Sequence, residues 1–190
     1  MRMLKFVFSL VFTSITFSAL ATESCDMKSL KTVDIFECAK VSQTKIDKKL
    51  NEQYQLLMSS PRFSQKTLLL EGERAWINYR DSYCKKAFES TYPGSEAEIE
   101  RANCIASMTS DRLAELIYIE TGVLTDGFYD ALKLINSILP KQRELILSHV
   151  ETKILSKKGD RYVQQNCKLT WTVNQEDISD CNVRMRFKIM

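Results

Sequence analysis

Between residues 34 and 121, apolar side chains recur every three to four positions in three runs separated by two short breaks. The first run begins at Asp34, and Glu37 three positions later completes a capping-box pattern. Phe36, Ala39, Ile46, Leu50 and Leu57 mark one stripe, with Tyr54 alongside and Gln43 interrupting it; Ser59, Ser60 and Pro61 end it. The second run has Ser64 as its natural N-cap and carries Leu68, Leu69, Trp76, Tyr79, Tyr83 and Ala87 on or near one face. Gly72 weakens this helix by about 1 kcal/mol relative to alanine, which predicts a close approach by a neighbouring helix or ring. Tyr92-Pro93-Gly94 is a turn. Ser95 and Glu98 make a second capping box, and Ala102, Ile105, Ala106, Thr109, Leu113, Leu116 and Ile117 form the third stripe, closed by Gly122. Short connections between long amphipathic segments predict an antiparallel three-helix bundle.

Past residue 122 the pattern changes. Thr125 or Asp126 can cap a short helix through Leu132, Ile135 and Leu139, and Pro140 is placed to start another that runs to Lys157-Lys158 and stops at Gly159. From Tyr162 the period becomes two. Leu169, Trp171 and Val173 alternate with polar residues, as do Val183, Met185, Phe187 and Ile189, with a polar stretch at 174–180 between. That alternation predicts a β-hairpin. The expected fold is mainly α: a bundle braced by disulfides, with a C-terminal appendage of two helices and a hairpin.

Residues 1–21 read as a secretory signal. Arg2 and Lys5 precede an apolar run without acids, and Ala19-Leu20-Ala21 matches a small-x-small cleavage site. The mature chain then starts at Thr22, with a helical domain over 22–121 and a second region over 122–190. Cys25 lies too far from the cleavage site for lipid attachment, so no membrane anchor is expected after cleavage and the location is periplasmic or secreted. Loss of the signal lowers the formal charge from +3 to +1. Residues 22–121 then carry −2 and residues 122–190 carry +3, a balance that does not point to nucleic acid. All six cysteines (Cys25, Cys38, Cys84, Cys104, Cys167, Cys181) fall in the exported part, where an even count reads as disulfides. Position along an antiparallel pair favours Cys38–Cys84 with Cys25–Cys104, one of three pairings for those four, and leaves Cys167–Cys181 to tie the hairpin.

A set of residues in the first two thirds of the chain resembles the N-terminal domain family of LprI-type lysozyme inhibitors. They are Glu37-Cys38, Asp47, Leu50-Asn51, Tyr54, Trp76, Tyr79-Arg80-Asp81, Cys84, Cys104, Thr109, Arg112 and Leu116, spread over residues 25–119. The chain has Glu73 where the family usually has glutamine, and residues beyond 122 lie outside the pattern. The resemblance implies an all-helical secreted domain and, for at least one member, inhibition of lysozyme. It therefore names lysozyme or another cell-wall hydrolase as partner, with no cofactor.

A protein inhibitor of a two-carboxylate glycosidase must fill its cleft and meet a cationic surface. Glu89, Glu96, Glu98 and Glu100, around the turn between the second and third helices, form the densest acidic cluster. Glu96, Glu98 and Glu100 are the candidate contact; the plainer reading is that acids favour a helix N-terminus. Trp76, Tyr79 and Tyr83 suit either a bundle core or a sugar-stacking platform, and core is the commoner use of that spacing. Arg80 and Asp81 read as a brace between helices, with Arg112 as partner for Asp81, and Glu37 as a cap. His149 is the one histidine; no nucleophile elbow, phosphate loop or paired-histidine metal motif accompanies it, so no enzyme is expected. The alternative to an inhibitor is a non-inhibitory envelope-binding or structural adaptor protein.

Overall fold

The computed structural model describes residues 25–124, 127–153 and 155–189. The expected signal at 1–21 and the Thr125 or Asp126 cap lie outside the described residues. Those residues form seven helices and no strand: α1 (Thr32–Ser59), α2 (Lys66–Thr91), α3 (Ala97–Thr121), α4 (Phe128–Ile138), α5 (Pro140–Thr152), α6 (Lys157–Asn174) and α7 (Ile178–Lys188). Among them no helix is long and apolar enough to cross a membrane.

The three long helices begin and end within a few residues of their sequence-predicted limits, but the side-chain caps do not form. Asp34 lies inside the first turn of α1, where its carboxylate accepts from the Ser29 hydroxyl at 2.5 Å. Glu37 sits on the surface beside Lys40, at 3.9 Å. The cap positions of α2 and α3 are Gln65 and Glu96, and neither makes a side-chain capping bond. Gly122 closes α3 with a left-handed φ of 71°, a conformation that costs glycine nothing.

α3 is the central element. α1 lies along it in the same direction: Gln53 Nε2 donates to Glu120 Oε2 at 2.6 Å, and Phe36 shares a surface hollow with Glu98, Arg101 and Ile105. α2 runs antiparallel to α3, but α1 and α2 hardly touch. The other side of α2 is instead covered by α6, so α2 packs as fully against the C-terminal region as against α3. One core joins Leu50, Leu57, Leu69, Trp76, Leu116 and Ile119 to Tyr162, Val163, Leu169 and Met185. The α4–α5 pair packs on α7 through Phe128, Leu132, Val150 and Val183.

The predicted hairpin is replaced by α6 and α7. The alternation misleads because part of it points the wrong way: Trp171 and Phe187 are 51% and 52% exposed, while Asn166, Thr170 and Arg184 are fully buried. Tyr162, Val163, Asn166, Cys167 and Thr170 recur at helical spacing once polar residues count as interior. The caps agree, since Ser156 Oγ accepts from Gly159 N–H and the Asp177 carboxylate accepts from Ser179 and Asp180. Gly159 is consequently no stop signal. It lies in the first turn of α6, and a Cβ there would come within 3.3 Å of the Tyr79 ring. The expected helix from Pro140 to Lys158 ends at Thr152.

Disulfides join Cys25 to Cys38, Cys84 to Cys104 and Cys167 to Cys181. The favoured Cys38–Cys84 and Cys25–Cys104 pairs fail because α1 does not lie against α2. Cys84 and Cys104 stand at nearly equal distances from the Pro93 turn, so the α2–α3 antiparallel pair brings them level. Cys25 folds the N-terminal arm back onto α1, and Cys167–Cys181 joins two helices. Peptide mapping of the unreduced protein is expected to recover these three linked pairs, and a Cys38–Cys84 peptide would contradict the fold. Replacing Cys84 and Cys104 together by serine is expected to cost about 2–4 kcal/mol of stability in urea unfolding.

Candidate functional site

Two features meet where α2, α3, α6 and α7 converge: a buried chain of charges and an aromatic cleft above it. Arg112 of α3 is fully buried. Its Nε donates to Glu73 Oε2 at 2.8 Å and its Nη1 to Asn166 Oδ1 at 2.6 Å. Asn166 in turn donates to Glu115 Oε2 at 3.0 Å. Arg184 of α7 donates to both oxygens of Glu115, at 2.5 and 3.2 Å, and to both of Glu176, at 2.8 and 3.1 Å. Lys188 reaches Glu115 at 3.3 Å, and the Tyr129 hydroxyl donates to Glu176 at 3.0 Å. Three carboxylates thus alternate with three cations, which cancels charge in a water-poor interior.

The electrostatics follow from this arrangement. Burial alone raises the Glu115 carboxyl, but Arg184 and Lys188, with hydrogen bonds from Arg184 and Asn166, outweigh it and hold the group at about 2, against an ordinary 4.5. Burial weakens the charge on Arg112, yet Glu73 beside it more than compensates and its pKa rises. Its Nη2 meets no hydrogen-bond acceptor among the described residues, and the guanidinium lies 5.6 Å from the Tyr162 ring centre. Gly72 is where this packing comes closest to α2: a Cβ there would stand 3.5 Å from Arg112 Nη2, so the approaching group is a guanidinium and not an aromatic ring.

The cleft encloses about 160 Å³ and is lined by Trp76, Tyr79, Tyr83, Ser107, Met108, Asp111, Tyr162, Lys188 and Ile189. Trp76 and Tyr79 are buried. Tyr79 stacks on Tyr162 with ring centres 5.9 Å apart and donates its hydroxyl to the Ile189 carbonyl at 3.3 Å. Burial, aided by Tyr83, pushes the Tyr79 hydroxyl up to about 12, so it keeps its donor proton at ordinary pH. Tyr83 differs from the other two rings. It is 45% exposed, tilted against Tyr79 at 5.7 Å, and forms the open side of the cleft.

The other sequence-predicted residues are scattered. Arg80 lies over the Trp76 ring at 4.7 Å and pairs with Asp81 at 2.8 Å on the surface of α2. The predicted Asp81–Arg112 pair does not form, because Asp81 lies about two helical turns nearer the α2–α3 turn than Glu73, the residue level with Arg112. On α1, Asn51 donates to Asp47 at 3.1 Å, and Tyr54 is half-buried with its pKa raised by burial and by Glu73. Glu96, Glu98 and Glu100 are exposed at the start of α3, and Glu89 pairs with Lys85 at 3.3 Å. His149 is exposed on α5. Sequence reasoning missed Asp111, Glu115, Tyr162, Asn166, Glu176, Arg184 and Lys188. Only a helical reading of 157–188 would have put Asn166 and Arg184 on inward faces.

Residues 25–116 match the family model described as Lysozyme inhibitor LprI, which names an inhibitor and not an enzyme. The chain is also similar to an uncharacterized protein of Rhizobium meliloti (strain 1021), at 29% identity over 102 residues that cover 47% of this chain and 73% of that one. No solved structure matches it. The matched segment therefore includes Glu73, Arg112 and Glu115 but none of the α6 and α7 residues that complete their bonds.

Replacing Glu115 by glutamine leaves Arg184 short of a counter-charge and is expected to cost about 3–5 kcal/mol at neutral pH, read by urea unfolding. Because the folded pKa of Glu115 lies below its ordinary value, its contribution is complete above pH 4.5 and is lost as pH falls toward 2. Acid unfolding across that window should flatten in the same variant; an unchanged acid limb would contradict the assignment.

Proposed function

We propose that the protein is exported, and binds and blocks lysozyme or another peptidoglycan hydrolase. The observation that carries this reading is the match of residues 25–116 to the lysozyme-inhibitor family. Three disulfides fit an oxidising compartment, periplasmic or extracellular. A rigid, cross-linked helical framework also limits the ordering cost of association, which favours tight binding by a small protein.

The surface we favour for the enzyme is the tip formed by the α2–α3 turn. Glu96, Glu98 and Glu100 are exposed from the end of that turn through the first turn of α3, and Tyr92 in the turn is 67% exposed. Acids with an exposed aromatic ring suit a cationic partner: the charges steer the approach and the ring supplies contact area. Cys84–Cys104, a few turns below, fixes the two helices that carry the tip. Residues 22–121 would then form the inhibitory domain, with residues 122–190 covering its open side.

Oxidised protein is expected to slow lysis of a cell-wall suspension by lysozyme in proportion to its molar ratio and to form a complex on a sizing column. Unchanged lysis at large molar excess with no complex would remove that enzyme as the target. Changing Glu96, Glu98 and Glu100 together to glutamine should weaken binding about tenfold at low ionic strength, with the difference shrinking as salt is raised. Equal affinity and equal salt dependence would move the contact elsewhere.

A further inference from the structure

We infer that the cleft between α2, α3 and the end of α7 binds a neutral pyranose ring of an oligosaccharide. The inference rests on the cleft and not on hydrolase inhibition. Its lining combines aromatic rings with hydrogen-bonding groups. Tyr79 spends one ring face on Tyr162, whereas Tyr83 keeps nearly half its surface in water although it borders a concavity. A half-exposed ring beside a hollow matches the C–H face of a sugar, which is weakly positive and meets the negative face of the ring.

Volume and charge narrow the ligand. A cavity of about 150 Å³ takes a benzene-sized ring; the cleft encloses about 160 Å³ and is open on one side, so a six-membered ring fits with its hydroxyls at the rim. Ser107 and Asp111 stand exposed at the rim, and the mostly buried Lys188 ammonium is held by Glu115 at 3.3 Å and by the Asp111 backbone carbonyl at 3.5 Å. With Lys188 engaged by Glu115 and Asp111 carrying the opposite sign, the lining presents no strong field of either sign to an ionic ligand. A neutral polyol can donate to the Asp111 carboxylate and exchange a hydrogen bond with the Ser107 hydroxyl. The Tyr79–Ile189 hydrogen bond and the Lys188–Glu115 contact hold the end of α7 in place, so the cleft is formed before any ligand arrives.

The test uses full-length oxidised protein carrying Trp171→Phe, which leaves Trp76 as the fluorescent reporter in the cleft wall. Chitotriose and cellotriose serve as probes, with no hydrolase present. At least one trisaccharide should change Trp76 emission saturably in the millimolar range. Tyr83→Ala should weaken that binding about tenfold, and Ser107→Phe, which fills the mouth from an exposed position, should abolish it. Absence of a saturable change with both sugars would overturn the inference, as would binding that survives both substitutions. A protein that blocks lysis but fails here refutes the sugar site alone; one that binds the sugar but leaves lysis untouched refutes inhibition alone.

Discussion

The fold depends on a run of alternating charges, Glu73–Arg112–Glu115–Arg184–Glu176, threaded through the interior by Asn166. Its members come from α2, α3, α6, α7 and the α6–α7 connection, which must be in register for each neighbour to be satisfied. Removing water from so many charges is expensive, and such networks contribute little net stability compared with a well-packed apolar core. Their effect is on uniqueness. A slip of one turn by α6 would take Asn166 from both Arg112 and Glu115, and a slip by α7 would take Arg184 and Lys188 from Glu115, at a cost of several kcal/mol. Glu73 fits the same logic: a glutamine there would keep a hydrogen bond to Arg112 but leave the interior one negative charge short.

This network also ties the segment that matches the inhibitor family to the helices that follow it. Arg112 and Glu115 lie inside that segment, yet Asn166, Arg184 and Lys188 complete their bonds from outside it. The same helices supply Tyr162, Lys188 and Ile189 to the cleft, so packing and the sugar-site inference share one cause. The α2–α3 tip, by contrast, is held by its own disulfide and stands clear of the network. The exposed acids of the α2–α3 tip and the aromatic cleft thus sit on one cross-linked framework.

Much of the first three helices is legible in the sequence, because Leu50, Leu57, Leu69, Trp76 and Leu116 of their stripes are apolar and buried; the third stripe is partly rotated, with Ile105, Leu113 and Ile117 only half-buried while Arg112, Glu115 and Ile119 turn inward. Their mutual arrangement is less so. Nothing in the stripes tells that α1 lies along α3 and leaves α2 to α6, and the cysteine pairing depends on that choice. The C-terminal region is misread for a definite physical reason. Buried Asn166, Thr170 and Arg184 look like solvent positions, exposed Trp171 and Phe187 look like core, and the combination imitates a strand. The cleft is assembled from Tyr83 on α2, Asp111 on α3, Tyr162 on α6 and Lys188 on α7, residues that no local spacing connects.

Native-state hydrogen exchange of the oxidised protein tests most directly whether the charges bind the two parts of the chain into one unit. The account predicts that the slowest amides of α3, around Arg112 to Ile119, and those of α6 around Asn166 exchange through the same global opening, with free energies equal within about 1 kcal/mol. If α6 and α7 open at distinctly lower free energy while α3 stays protected, the buried network does not hold the fold together and the account is wrong.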